Sequence, residues 1–159
     1  MKLLLLALLI VLGTHGIAAK TPLTPADISA IEVTAKAFAQ AFKDNNTDTL
    51  QALLITHTVF ADIVPADAIG ANTYNELIAV NRARFKEWRS VFADLKKYDA
   101  YWSVTVIPGE RSEHKSWISP EAVIHNTFVE LHYANRIKIT LKLEDLVLVG
   151  GKCHILQID

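Results

Sequence analysis

The chain has 159 residues, about half of them hydrophobic, a single cysteine, and a formal charge of −1 from 16 basic and 17 acidic residues. That length suits one domain. One cysteine cannot form an intramolecular disulfide, and the near-neutral balance offers no net basic surface for nucleic acid, so no nucleic-acid partner is expected.

The chain opens Met1-Lys2, runs from Leu3 to Leu12 without a polar residue, and then reaches the small residues Gly16, Ala18 and Ala19. A basic start, a short apolar run and a small-x-small site form the pattern of a secretory signal. The run is shorter than the roughly 20 residues a bilayer span needs. The expectation is a signal peptide over 1–19, cut after Ala18 or Ala19. A mature domain over 20–159 would then be exported to a periplasm or secreted, and would keep no stable membrane anchor. No cysteine follows the apolar run to carry a lipid. Cys153 is expected to act as a small buried hydrophobe near the end of a strand.

Thr24-Pro25-Ala26-Asp27 announces a helix, with threonine as N-cap, proline at the first helical position and an acid in the first turn. Ile28, Ile31, Ala35, Phe38, Ala39 and Phe42 then recur at spacings of three and four, which predicts a helix from about 25 to 43. Asp44-Asn45-Asn46 stops it. Thr47 is expected to cap a short second helix that turns Leu50, Leu53 and Leu54 inward. Val59, Phe60, Ile63 and Val64 suit an extended, half-buried segment over 57–64. Pro65 and Gly70 bracket a loop. Thr73 and Glu76 have capping-box spacing, and Leu77, Ile78, Phe85, Trp88, Val91, Phe92 and Leu95 predict a third helix over about 73–97. It is the longest of the three and should lie across something flat.

From Tyr98 onward the apolar period changes from 3.6 to 2. Trp102, Val104 and Val106 predict a strand that Pro108-Gly109 ends, and a charged loop follows. Residues 121–133 read as a long strand. In 136–149, Ile137, Ile139, Leu141 and Leu143 alternate with Arg136, Lys138, Thr140 and Lys142, so one face is core and the other wet. Gly150-Gly151 suits a two-residue hairpin turn, and 152–159 forms the last strand. Counting back from that turn sets Leu143 opposite Ile158 and Lys142 opposite Asp159, matching apolar with apolar and charge with charge. Glu144-Asp145 interrupts the alternation and predicts a bulge or strong bend.

This element order, the opening helix from Ile28 to Phe42, and the closing Gly150-Gly151-Lys152-Cys153-His154-Ile155-Leu156-Gln157-Ile158 resemble the NTF2-like and SnoaL-like superfamily, whose domains usually end in a GGKWHILQ-type run. The resemblance covers nearly all of the mature chain. It implies an α+β fold in which a curved antiparallel sheet wraps a long helix as a cone, with a pocket between them. Members include isomerases, dehydratases, cyclases, ligand binders and association modules, so the fold alone transmits no function.

Enzymes of that superfamily place a carboxylate or histidine in the cone and polarise the substrate with a tyrosine or second acid. Asp62 is the candidate base, because a carboxyl among apolar neighbours has a raised pKa. His132 and Tyr74 are candidate helpers. His125 and His132 are an odd number apart on one strand and so face opposite ways. His132 shares its face with Asn126, Phe128 and Glu130, which with Trp88 are candidate ligand-binding residues. The same face also suits a strand turned to solvent. No His-x-His, His-Glu-x-x-His or paired-cysteine spacing appears, so no metal and no other cofactor is expected. Arg82, Lys86, Arg89 and Lys96 mark a basic stripe on the third helix, suited to an anionic ligand or to plain solvation.

Three function classes follow. The leading one is an exported, non-catalytic domain that binds a small apolar or amphipathic ligand or a protein partner. The others are a cofactor-independent acid–base enzyme and a structural module, a homodimer joined through the sheet.

Overall fold

The computed structural model describes residues 22–65, 72–91, 102–111, 118–119 and 122–159. The signal peptide expected over 1–19, the loop over 66–71, the end of the third helix beyond 91 and most of the charged loop lie outside these residues. Among the described residues the fold is α+β. Helices α1 (Pro25–Asp44), α2 (Thr47–Leu53), α3 (His57–Ile63) and α4 (Thr73–Val91) precede strands β1 (Trp102–Arg111), β2 (Val123–Tyr133), β3 (Lys138–Val149) and β4 (Lys152–Ile158). The strands form a curved antiparallel meander in the order β1-β2-β3-β4. No described helix is long and apolar enough to cross a membrane.

The start of α1 follows from its first four residues. The Asp27 N–H donates to Thr24 Oγ1 at 3.2 Å, and the Thr24 N–H donates to Asp27 Oδ2 at 2.9 Å, a reciprocal capping box with proline at the first helical position. The two bonds satisfy two of the donors a helix start leaves open. The Thr24 N–H, together with the Thr24 hydroxyl that donates to the same Oδ2 at 2.8 Å, holds the Asp27 carboxyl below its ordinary value, with a smaller contribution from nearby His125. At the other end Asn45 takes a left-handed conformation, φ 52°, and stops the helix. The cap of α2 falls on Asn46 rather than Thr47: its side chain accepts from the Thr49 N–H at 2.9 Å.

The segment expected to be extended is instead α3. Thr56 caps it by accepting from the Val59 N–H, and the short helix buries Phe60 and Ile63 on one side. The extended piece lies just before it, where Leu54 forms a parallel bridge with Ile155. In α4 the first helical bond runs from the Glu76 N–H to the Asn72 carbonyl, so Asn72 takes the cap position and Thr73 is already helical. The helix that spans the sheet is α1, which touches all four strands, while the main sheet partner of α4 is β4. Phe38 and Phe42 of α1 meet Phe85 of α4 edge to face at 6.0 and 5.9 Å, and Phe38 meets Trp88 in the same way at 6.4 Å. Burying a side chain of this kind is worth about 1.5–3 kcal/mol, and edge-to-face geometry adds about 0.5–1.5 kcal/mol.

β1 does not end at Pro108-Gly109. It continues to Arg111 with a register shift between Pro108 and Arg111. Among the described residues β1 is an edge strand, which is where a sheet tolerates proline. A side chain at 109 would collide with Asn126, so glycine lets β2 approach.

On β2, His125, Thr127, Val129, Leu131 and Tyr133 are buried, and the intervening residues lie on the opposite face. The Gly150-Gly151 turn, both residues at positive φ, sets Leu143 opposite Ile158, as expected. The expected irregularity at Glu144-Asp145 is present and shifts the register against both β2 and β4. The main core takes Ile139, Leu141 and Leu143 from β3 and then Leu146, a step of three instead of two. From β4 it takes Ile155 and then Ile158. The paired irregularities bend the hairpin. Past the bend, Val147 and Leu156 enter a second cluster with Ile55, Phe60, Ile63, Val64, Ile118 and Ala122. Helical and loop segments therefore cover both faces of the hairpin's end.

β4 is an edge strand, and the helical layer binds its open side. Thr34 Oγ1 donates to the Cys153 carbonyl at 3.2 Å, and the Ile55 N–H donates to the Ile155 carbonyl at 2.9 Å. Asn81, fully buried on α4, donates from Nδ2 to the Leu156 carbonyl at 2.8 Å and accepts from the Ile158 N–H at Oδ1 at 2.9 Å. Its amide thus imitates a neighbouring strand. Asn81→Leu keeps the volume but strands a buried carbonyl and a buried N–H, each costing about 1–3 kcal/mol. The expected loss in urea-monitored unfolding is about 2–5 kcal/mol; a loss below about 0.5 kcal/mol, the range of an ordinary surface change, would contradict this role for Asn81.

Candidate functional site

The expected site residues divide among three places. Asp62 is exposed on α3. Tyr74, at the start of α4, is half-buried; its hydroxyl donates to the Ile55 carbonyl at 3.2 Å, and its ring meets His57 at 5.0 Å and Phe60 at 5.4 Å. Trp88 packs against the main core on the helical side of the sheet. Asn126, Phe128, Glu130 and His132 lie on the opposite face of β2 and are half-buried.

That outer face is ordered by the strand register. Ser103, His132 and Lys138 form one row, Thr105, Glu130 and Thr140 the next, and Ile107, Phe128 and Lys142 the third. Lys138 Nζ approaches Glu130 Oε1 at 2.8 Å, and His132 Nε2 approaches Glu130 Oε2 at 3.3 Å. The Lys138 ammonium holds the Glu130 carboxyl below its ordinary value, and the His132 ring adds to the effect. Lys142 contacts Asp159 at 3.4 Å and Glu144 at 3.8 Å. Charge on this face is largely compensated internally.

Asp62 and His132 belong to opposite ends of β3. α3 packs where Val147 lies, and His132 pairs with Lys138 at the other end. The strand between those positions spans about 30 Å. His125, on the inner face, is buried and carries an interaction of its own. Among the described residues, no three histidine, cysteine or acidic side chains gather as metal ligands would.

Beneath the sheet, α1 and α4 contribute the aromatic residues described above. A concavity lies on the helical layer. Asn45, Thr47, Asp48, Leu50 and Gln51 on one side and Arg82, Phe85 and Lys86 on the other line a groove of about 550 Å³. Leu50 and Phe85, each 1% exposed, close its floor. The α1–α2 turn forms one wall because Asn45 ends α1 abruptly, and α4 forms the other. Arg82 spans the two, donating from Nε to Gln51 Oε1 at 2.7 Å and from Nη2 to the same oxygen. Two turns further along α4, the Arg89 guanidinium lies over the Phe42 ring at 5.2 Å.

Arg82, Lys86 and Arg89 belong to the basic stripe legible in the sequence, whereas Asn45, Asp48 and Gln51 were not among the candidates. Arg82 and Gln51 are 31 positions apart, and only the tertiary fold brings them together. Asn81 did leave a signal, a polar residue between Ile78 and Phe85 on the apolar face of a helix.

Comparison of the chain with family models, with curated proteins and with solved structures finds no match.

Cys153 is half-buried on β4, and burial pushes its thiol up to about 11, against a smaller downward pull from the Thr34 hydroxyl. The thiolate is the reacting form. Alkylation by iodoacetamide at pH 8 is therefore expected to run about 100-fold slower in the native protein than in urea. Equal rates in the two states would show an accessible, activated thiol instead.

Proposed function

We propose that this chain is an exported member of the NTF2-like superfamily whose work is non-catalytic binding of a small amphipathic ligand, and that the ligand sits in the groove between α2 and α4. The kinship is supported by the order of helices followed by a curved four-stranded meander, by α1 laid across all four strands, and by the closing glycine hairpin. Phe38 and Phe42 of α1 pack edge to face on Phe85 of α4.

The observation that carries the binding reading is the groove itself, apolar at its floor and polar at its rim. Its volume falls within the roughly 300–1,000 Å³ typical of small-molecule sites. Proton-transfer catalysis needs at least two titratable groups converging on one reacting atom. Asp62 stands apart from His132, Tyr74 donates its hydroxyl to a backbone carbonyl, and His132 faces Glu130. Binding is the reading that asks least of these residues.

Native mass spectrometry on the protein purified from its own source tests both halves together. The expected result is a chain beginning at Ala19 or Lys20 that retains a small molecule, released on denaturation. A ligand-free chain at the full 17.6 kDa would count against export and binding alike.

A further inference from the structure

We infer that the groove between α2 and α4 selects amphipathic anions, ligands with a carboxylate-type head and a hydrocarbon body. This rests on the groove being the ligand site. Its wall on α4 carries Arg82 and Lys86, one helical turn apart, and Arg89 continues the row. Like charges at this spacing repel one another. Arg84, Lys36 and Lys138 elsewhere in the fold each meet an acid, Glu87 at 3.2 Å, Glu32 at 3.3 Å and Glu130 at 2.8 Å. The groove does not follow this pattern. Arg82 has a neutral partner, Gln51, which leaves its charge uncompensated, and Lys86 makes no ion pair or hydrogen bond among the described residues.

Among the described residues lining the groove Asp48 is the one acid, and it stands on the α2 wall against two cations on the α4 wall. The local balance is therefore positive in a chain whose formal charge is −1. The floor supplies the second half of the recognition. Leu50 and Phe85, with the aliphatic stems of Arg82 and Lys86, present an apolar bed whose cationic heads stay at the rim. A carboxylate placed at that rim would gain charge-assisted hydrogen bonds from Lys86, and from Arg82 once its guanidinium turns from Gln51. The attached chain would lie along the floor. A neutral alcohol gains only the apolar part, and a quaternary ammonium of the same length meets repulsion.

Three probes of equal chain length separate these contributions: octanoate, octanol and octyltrimethylammonium, titrated into the isotope-labelled protein and followed by amide chemical shifts. Octanoate is expected to shift amides of α2 and α4 and to bind about tenfold more tightly than octanol, the scale of one charge-assisted hydrogen bond. Lys86→Glu is expected to abolish that preference. Lys86 is exposed, and the variant is checked for folding by its unchanged β-sheet amide shifts. Equal binding of the three probes at α2 and α4, or an unchanged octanoate preference in Lys86→Glu, would overturn the anion selectivity while leaving the groove as the binding site. No shift at α2 and α4 with any probe would overturn both.

Discussion

A strand at the edge of a sheet leaves every second pair of backbone groups without a neighbour, and here that edge is β4, the last element of the chain. The helical layer supplies the missing partners. Asn81 provides both a donor and an acceptor from the middle of α4, α1 reaches in through Thr34, and the link between α2 and α3 adds the backbone of Ile55. Each bond is buried or half-buried, where an unmet polar group costs most. Three separate helical segments are thereby fixed to one strand.

The bend in the β3–β4 hairpin decides what those segments can cover. Until Leu143 the strand shows the main core one face only, but past Glu144-Asp145 the hairpin swings and is packed from both sides. α1 and α4 meet it on one side, and α3 with Ile118 and Ala122 on the other. Since α2 follows α1 after a turn at Asn45 and α4 is held by Asn81, the two walls of the groove have fixed positions. The groove is thus a product of how the helices attach to β4. Its cationic wall follows from the outward face of α4, and its apolar floor from the inward one.

Features set by neighbours in the chain were legible in the sequence. The Thr24–Asp27 box, the Gly150-Gly151 register and the irregularity at Glu144-Asp145 each depend on a few consecutive residues. α3 was not legible, because its seven residues hold Val59, Phe60 and Ile63, which fit a strand as readily as two helical turns, and only packing against Val147 and Leu156 separates the two. Pro108-Gly109 resembled a strand end, but an edge strand tolerates proline and the Asn126 side chain requires glycine. The cap of α4 was displaced by one residue, since Asn72 serves as well as Thr73. Of the groove, the row of α4 cations could be seen in advance, and the residues facing it from the α1–α2 turn could not.

The central claim, that β4 is held from its outer edge by α4, is tested most directly at Ile158, whose N–H points to that edge. An edge amide without a partner exchanges with solvent by local opening. With its N–H bound to Asn81 Oδ1 in the interior, the Ile158 amide is expected to exchange as slowly as the core amides of β3, through global unfolding. Exchange of Ile158 at the rate of an unprotected amide, with β3 still protected, would show that β4 is not held in this way.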